Sequence, residues 1–498
     1  MPKPCPLSAD ELEAVAKEHG TPFQLYDEAG IEDQARGLIK AFAGSFPGFK
    51  QFYAVKALPN PAILRLLTRA GCGLDCSSAS ELFVADKLGV APEDVMYTSN
   101  FTSKADLLTA ARQGVVINLD DISLVEDLAG VCKGAGLPFP KLICFRFNPG
   151  LGRTDSETAS NVLGGPDAKF GVPREDLLAA YSRAKALGAT RFGLHMMTGS
   201  CVMSDDYWTE TVSVLLQALA EVASGAGIAR EDWAFINIGG GLGIPYRAGE
   251  PENDPSRLAK RLRGVMDAEA ARLGLAGALP RLYMENGRYV TGPFGWLVAR
   301  CHVVKRAFGQ RYCGLDACMS NLMRPGMYGA YHHISVAGKP TPEDADDPAA
   351  EPLNVVGTLC ENNDWFAKQR PLPASAGVGD LFVVHDSGAH SHSMGFQYNG
   401  KLRAPELLLR RRAGPGAPAV VQRVRERETI ASLFAETSIP ADLGAPLRLD
   451  TPAAATRAEA RDGEAPTRKM FVWAALAAAG AAAAVATALA MTRARQTA

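Results

Sequence analysis

The chain of 498 residues has no CxxC pair among its ten cysteines, and its charges nearly cancel, with 52 lysines and arginines against 54 aspartates and glutamates. The missing cysteine spacing excludes a zinc ribbon or a disulfide scaffold, and leaves most of the cysteines as small core residues of a reducing compartment. The missing charge excess, with no interleaving of arginine and aromatic residues, excludes nucleic acid as a partner. His332, His333, His385, His390 and His392 follow no zinc-ligand spacing, so no metal site is expected. The first twenty residues are rich in acid and hold no apolar stretch, so neither a secretory signal nor a transit peptide is expected there.

What is present suits a large globular protein: 47% hydrophobic and 21% charged residues, enough for two or three domains with cores of their own. Eight short β-rich runs punctuate the first three hundred residues: Phe49–Val55, Gly73–Cys76, Val95–Thr98, Val115–Leu119, Leu142–Arg146, Phe192–Met196, Phe235–Ile238 and Leu282–Glu285. Between them lie stretches such as PAILRLLTRA and YWTETVSVLLQALAEVA, whose apolar residues recur at three and four, the helical period. Strands alternating with helices pair in parallel, and eight such units predict a closed (β/α)8 barrel over residues 36–295.

Chemistry in such a barrel sits where the strands end. Here the ends carry Lys56, Asp75, Asn100, Asn118, Arg146, His195, the turn Gly239-Gly240-Gly241, and Glu285. Eight polar or glycine endings on one rim are more than packing needs, and they predict a shared site. Lys56 closes the apolar run Phe52-Tyr53-Ala54-Val55, and burial there favours the neutral amine, the form that attacks a carbonyl. The glycines after Ile238 and a second turn, Glu285-Asn286-Gly287-Arg288, leave backbone N–H groups open to a phosphate. An amine, a phosphate cradle and a carboxylate around one mouth match the aldehyde, phosphate and ring nitrogen of pyridoxal phosphate.

After Gly295 the texture changes to short strands without helical spacers, which predicts a C-terminal β-domain over residues 296–437. The opening segment, residues 1–35, contributes a strand to it. Residues 438–469, rich in Pro, Ala and charge, read as a flexible linker. Residues 470–491 are uncharged between Arg468-Lys469 and Arg493, long enough for a C-terminal transmembrane helix that would anchor the catalytic part on the cytoplasmic side of a membrane. Twelve of those 22 residues are alanine, which is barely apolar, so a helix that stays in water is the alternative.

The segments YAVKA, GGGLGIPY, ENGR, RPGMYGAYHH, VVGTLCENND, GDLFVVHDSGAH and QYNGKLRAPELLL, in that order, resemble those of meso-diaminopimelate decarboxylases. The resemblance spans about residues 20–437 and implies a pyridoxal-phosphate enzyme that releases CO2 from meso-2,6-diaminopimelate to give L-lysine. It implies that Lys56 bonds the cofactor aldehyde and that Glu285 keeps the ring nitrogen protonated. Ser200, Gly240, Gly241, Gly287 and Arg288 would cradle the phosphate, and Tyr398 would touch cofactor and substrate. Arg288, Arg324 and Tyr328 match the family's contacts to the distal carboxylate, where paired guanidiniums suit the anion. Cys360 matches the family's proton donor and Glu361 the partner of the distal ammonium, both acting across a homodimer interface.

The chain departs from the family pattern in places. In Gly193-Leu194-His195-Met196-Met197-Thr198-Gly199-Ser200, His195 matches the first histidine of GLHxHxGS, but Met197 replaces the second, which stacks on the cofactor ring. Asn286 replaces a proline and His390 a tyrosine. Rival readings are a decarboxylase of ornithine, arginine or carboxynorspermidine on the same scaffold, a racemase, and a membrane-tethered binding protein without catalysis.

Overall fold

The computed structural model describes residues 2–152, 163–275, 277, 279–342, 348–412, 414 and 417–439. The chain divides into two units, Met1–Leu433 and Phe434–Ala498. Of the second unit only residues 434–439 are described, and they include a turn in which the Thr437 amide bonds the Phe434 carbonyl. The linker beyond residue 439 and the expected membrane helix at 470–491 lie outside the described residues. Among the described residues no helix is long and apolar enough to cross a membrane.

Strand β1 (Phe23–Asp27) is followed by β2 (Lys50–Ala54), β3 (Gly73–Cys76), β4 (Val95–Thr98), β5 (Val116–Leu119), β6 (Leu142–Asn148), the two-residue β7 (Val172–Pro173), β8 (Arg191–His195), β9 (Trp233–Asn237) and β10 (Arg281–Met284). Strands β2, β3, β4, β5, β6, β8, β9 and β10 pair in parallel in that order, and β10 returns to β2, so the ring of eight closes. The expected strands agree with these to within two residues at each end. Local cues explain the precision. Asn60 caps the helix Pro61–Arg69 by accepting from the Ala62 amide at 3.0 Å, and Pro61 takes the first helical position, where its missing N–H costs nothing.

Inside the ring, Phe52, Met96, Val116, Cys144, Phe235 and Tyr283 fill one end, with Phe235 stacked on Tyr283 at 4.5 Å. The other end holds Asp75, Asn118, His195, Asn237 and Glu285, all buried. Buried polar groups are costly unless paired, so this layer carries the burden of a site.

The second sheet is built from β11 (Gly295–Ala307), β12 (Gln310–Leu315), β13 (Ile334–Val336), β14 (Ala350–Val356), β15 (Trp365–Pro373), β16 (Leu381–Val384), β17 (Glu406–Leu409) and β18 (Val421–Arg425). Its main path runs β15-β14-β12-β11-β1-β17-β18, with β16 on β11 and β13 on β16. Strand β1 lies antiparallel to β11 and parallel to β17, so the opening segment is an internal strand of this mixed sheet. The chain then passes at Asp27, whose carboxylate caps the next helix, into Glu28–Ala43, which packs on the barrel helices. Residue 35, the boundary expected from sequence, falls inside that helix.

Candidate active site

A cavity of about 520 Å³ opens over the polar end of the barrel. Lining it are ten of the residues expected to hold cofactor or substrate, Lys56, Met197, Ser200, Gly240, Gly241, Glu285, Gly287, Arg288, Arg324 and Tyr328, and the strand-end residues Asp75, Asn100 and Arg146. Strand β2 stops at Ala54, and the tight turn Val55–Ala57 throws Lys56 into the mouth. Its side chain is 56% exposed, with the ammonium 3.9 Å from Asp75. The expectation that Lys56 would be buried is thereby corrected. The turn lifts the residue out of the strand, so its nitrogen reaches the cavity and not the core.

Glu285 is buried yet still lines the cavity. Its Oε2 lies 3.1 Å from Nε2 of His195, and Oε1 accepts from the Asn237 amide at 2.7 Å. Burial by itself would raise its pKa, but the charge and hydrogen bond of His195, with Lys56 and Asn237, bring it below the usual carboxylate value. Asp75 goes the other way: burial, then repulsion from Glu285, push its carboxyl well above the ordinary range. The two acids are thus driven in opposite directions, Glu285 towards its ionised form and Asp75 towards its protonated one. His195 therefore supports Glu285 from behind and does not line the cavity.

The glycine turns stitch three loops into one rim. A Cβ on Gly240 would fall 2.2 Å from the Glu285 carbonyl oxygen, and one on Gly241, at φ 108°, 2.6 Å from that of Gly199. Only glycine permits this approach. Asn286 adds a second stitch, accepting from the Leu242 amide at 3.1 Å and donating to Gln51 at 3.2 Å. Its side chain thus ties β2, the glycine turn and β10 together. Met197 faces the cavity, and its carbonyl accepts from Arg146, whose guanidinium lies 4.3 Å from the Phe170 ring.

Part of the cavity wall is cationic. Arg288 donates to the Tyr246 hydroxyl at 2.7 Å, and Arg324 donates to the same oxygen at 3.0 Å. Arg324 also donates to Nε2 of His332 at 2.7 Å, while Nδ1 of that ring is 2.8 Å from the His385 carbonyl. Burial, then the charge of Arg324, push the His332 pKa well down, so the ring is neutral and can accept from the guanidinium. Two arginines clipped to one phenol with a neutral histidine behind them form an anion site. His390 joins this wall and is kept neutral by burial and by the charges of Arg288, Arg324 and Lys56. Tyr246 and His332 escaped sequence reasoning. The only cue was that Tyr246 closes the glycine run GGGLGIPY.

Cys360, Glu361 and Tyr398 are not at the cavity of their own chain. All three are exposed, with the Tyr398 hydroxyl 3.5 Å from the Cys360 carbonyl and the Cys360 amide bonded to Asn399 at 2.7 Å.

A closed barrel with a lysine, a carboxylate and glycine loops at one mouth, joined to a mixed β-domain, defines a class. Residues 32–292 match the family described as pyridoxal-dependent decarboxylase, pyridoxal binding domain, and the chain belongs to that family. It is 35% identical over 435 residues to the diaminopimelate decarboxylase of Methanothermobacter thermautotrophicus, covering 87% of this chain and 95% of the relative. Protein TabA of Pseudomonas amygdali pv. tabaci is 41% identical over 399 residues, with 80% and 88% covered. The crystal structure of diaminopimelate decarboxylase from M. jannaschii in complex with L-lysine superposes with a TM-score of 0.76 at 28% identity, covering 87% of this chain and 95% of that one.

The cavity fits pyridoxal phosphate, the cofactor of the family. Asp75 Oδ1 is buried without a hydrogen-bond partner beside Lys56, Glu285 is poised as an anion for a protonated ring nitrogen, and Gly240, Gly241 and Gly287 present backbone to the cavity.

Proposed function

We propose that this chain decarboxylates meso-2,6-diaminopimelate to L-lysine. The observation that carries the reading is the convergence of Arg288 and Arg324 on Tyr246, in the wall of the same cavity that Lys56 and Glu285 line. A substrate that is an amino acid at both ends needs a carboxylate receptor remote from the reacting centre, whereas ornithine, arginine or a carboxylated polyamine has no distal carboxylate to place there. Pyridoxal phosphate, when bound, accepts the electron pair left on the α-carbon as CO2 departs. Lys56 would supply the nitrogen that holds the cofactor aldehyde. Glu285, oriented by His195 and Asn237, would keep a proton at the ring nitrogen. Ser200, Gly240, Gly241, Gly287 and Arg288 would hold the phosphate side, and Tyr328 would border the distal head. Met197, in place of an imidazole, would offer its thioether to the cofactor.

The test is CO2 release from purified protein offered diaminopimelate, ornithine, arginine and carboxynorspermidine. Release from diaminopimelate alone supports the reading, and brisk release from ornithine without it sinks the choice. His390 in the anion wall favours one variant of this reading, a different amino acid that also ends in a carboxylate; it would show as diaminopimelate turnover that is weak beside that of such a substrate.

Tyr246 provides a graded check. Tyr246→Phe removes the shared acceptor of two guanidiniums, and a hydrogen bond to a charged group contributes about 1.5–3 kcal/mol, so KM should rise about tenfold or more. kcat and the visible absorbance of bound cofactor should change little, since the phenol touches neither. A fall in kcat with KM unmoved would place Tyr246 in the chemistry.

We assign Cys360, Glu361 and Tyr398 to the site of a partner subunit in a homodimer. Their exposure, the contact between Tyr398 and Cys360, and their absence from the lining of the cavity of their own chain support this. Cys360 would deliver a proton from Sγ to the α-carbon, and Glu361 would receive the distal ammonium. Lys56→Ala and Cys360→Ala proteins, each nearly inactive, should recover activity when mixed and allowed to exchange subunits, because one of the two sites in a mixed dimer is intact. Failure to recover, with exchange demonstrated, would return Cys360 to its own chain.

A further inference from the structure

A second cavity, of about 300 Å³, opens beside the active site and shares Ala330 with it. Three cations line it, Arg247, Lys368 and Arg370, together with Tyr331 and Trp365, and among the described residues no carboxylate does. Arg247 and Arg370 both pack on the Tyr331 ring, 4.1 and 4.0 Å from its centre, and Lys368 sits 4.7 Å from the Trp365 ring. Arg247 forms a long, half-exposed ion pair with Glu250, at 4.0 Å from its Nε. Burial lowers the Arg370 pKa, the Tyr331 phenol opposes it, and the charge of Arg247 adds to the lowering. Aromatic faces attract each cation singly, but they do not cancel the repulsion between them.

We infer that this cavity binds a small oxyanion with two or more negative charges, of the phosphate, sulfate or di- and tricarboxylate class. The space equals that of roughly ten waters, enough for a tricarboxylate, and guanidiniums pair with such oxygens through two hydrogen bonds at once. The site is also wired to the first. Arg370 donates to the His332 carbonyl at 2.8 Å, and the ring of His332 accepts from Arg324. An anion that draws on Arg370 therefore acts on the residue that holds Arg324. The binding stands whatever the substrate is; only the kinetic consequence rests on the proposed function.

The experiment is calorimetric titration of the cofactor-saturated protein with sulfate, phosphate and citrate, with ionic strength held constant by chloride. Binding should weaken about tenfold or more in Arg247→Gln/Lys368→Gln, the loss of two charge-assisted contacts, and should persist in Arg324→Met. The ranking of citrate against phosphate then separates an organic from an inorganic ligand. Equal affinity in the double variant, or loss in Arg324→Met alone, overturns the site, the latter by locating the anion in the catalytic cavity. Citrate should also shift KM for the decarboxylation substrate in wild type and not in the double variant. Binding without that shift overturns the link to Arg324 and leaves the decarboxylase reading untouched.

Discussion

Lys56→Ala protein is expected to lose about 10³-fold or more in kcat, as when the residue bearing covalent chemistry is removed, and to purify without the yellow colour of bound cofactor. The side chain is half exposed in the cavity, paired with Asp75 at a distance of 3.9 Å, so its loss should leave the fold standing. Asp75 is already driven towards its protonated form by burial and Glu285, so it loses little when the ammonium goes. Thermal stability should therefore stay near wild type while activity and absorbance vanish together. Retained colour with lost activity would mean that another group holds the cofactor.

Glu285→Gln should be nearly as damaging, with kcat down by about 10²–10³-fold, the range for removing one preorganised electrostatic contact from a reacting centre. His195 and Asn237 both aim at the Glu285 carboxylate, and with Lys56 they favour its charged form despite burial. A neutral amide cannot stabilise a protonated ring nitrogen, so the electron sink weakens. The variant also changes Asp75. With repulsion from Glu285 gone, the Asp75 pKa should fall from its raised position towards a normal value, although burial keeps it above that. A new ionisation in the pH dependence of the variant, absent from Glu285→Gln/Asp75→Asn, would report this. A variant with kcat unchanged would show that Glu285 does not face the ring.

Much of the architecture could be read directly. The eight barrel strands and their polar ends were visible because hydrophobic period, capping residues and turn glycines act over a few residues, and these local forces set where a strand stops. The placing of Asp75, Glu285 and the glycine turns at one mouth then follows from closure of a parallel ring, which puts all strand ends on one side. Lys56 was legible as a strand-end lysine but not as one raised out of burial. Its exposure depends on the Val55–Ala57 turn and on the cavity above it.

The sequence by itself determined the class of fold, the rim residues and, through the order of its motifs, the cofactor. Only tertiary structure decided which residues cooperate. Tyr246 lies 42 residues from Arg288 and 78 from Arg324, and no periodicity links such positions. Their meeting requires the barrel and the β-domain to pack as they do. The same packing makes His332 the neutral acceptor behind Arg324 and lines the neighbouring cavity with three cations. It also places Cys360 and Tyr398 outside the cavity of their own chain. Local patterns along a chain encode elements; the fields and contacts that make a site arise between elements, and those exist only once the elements have been brought together.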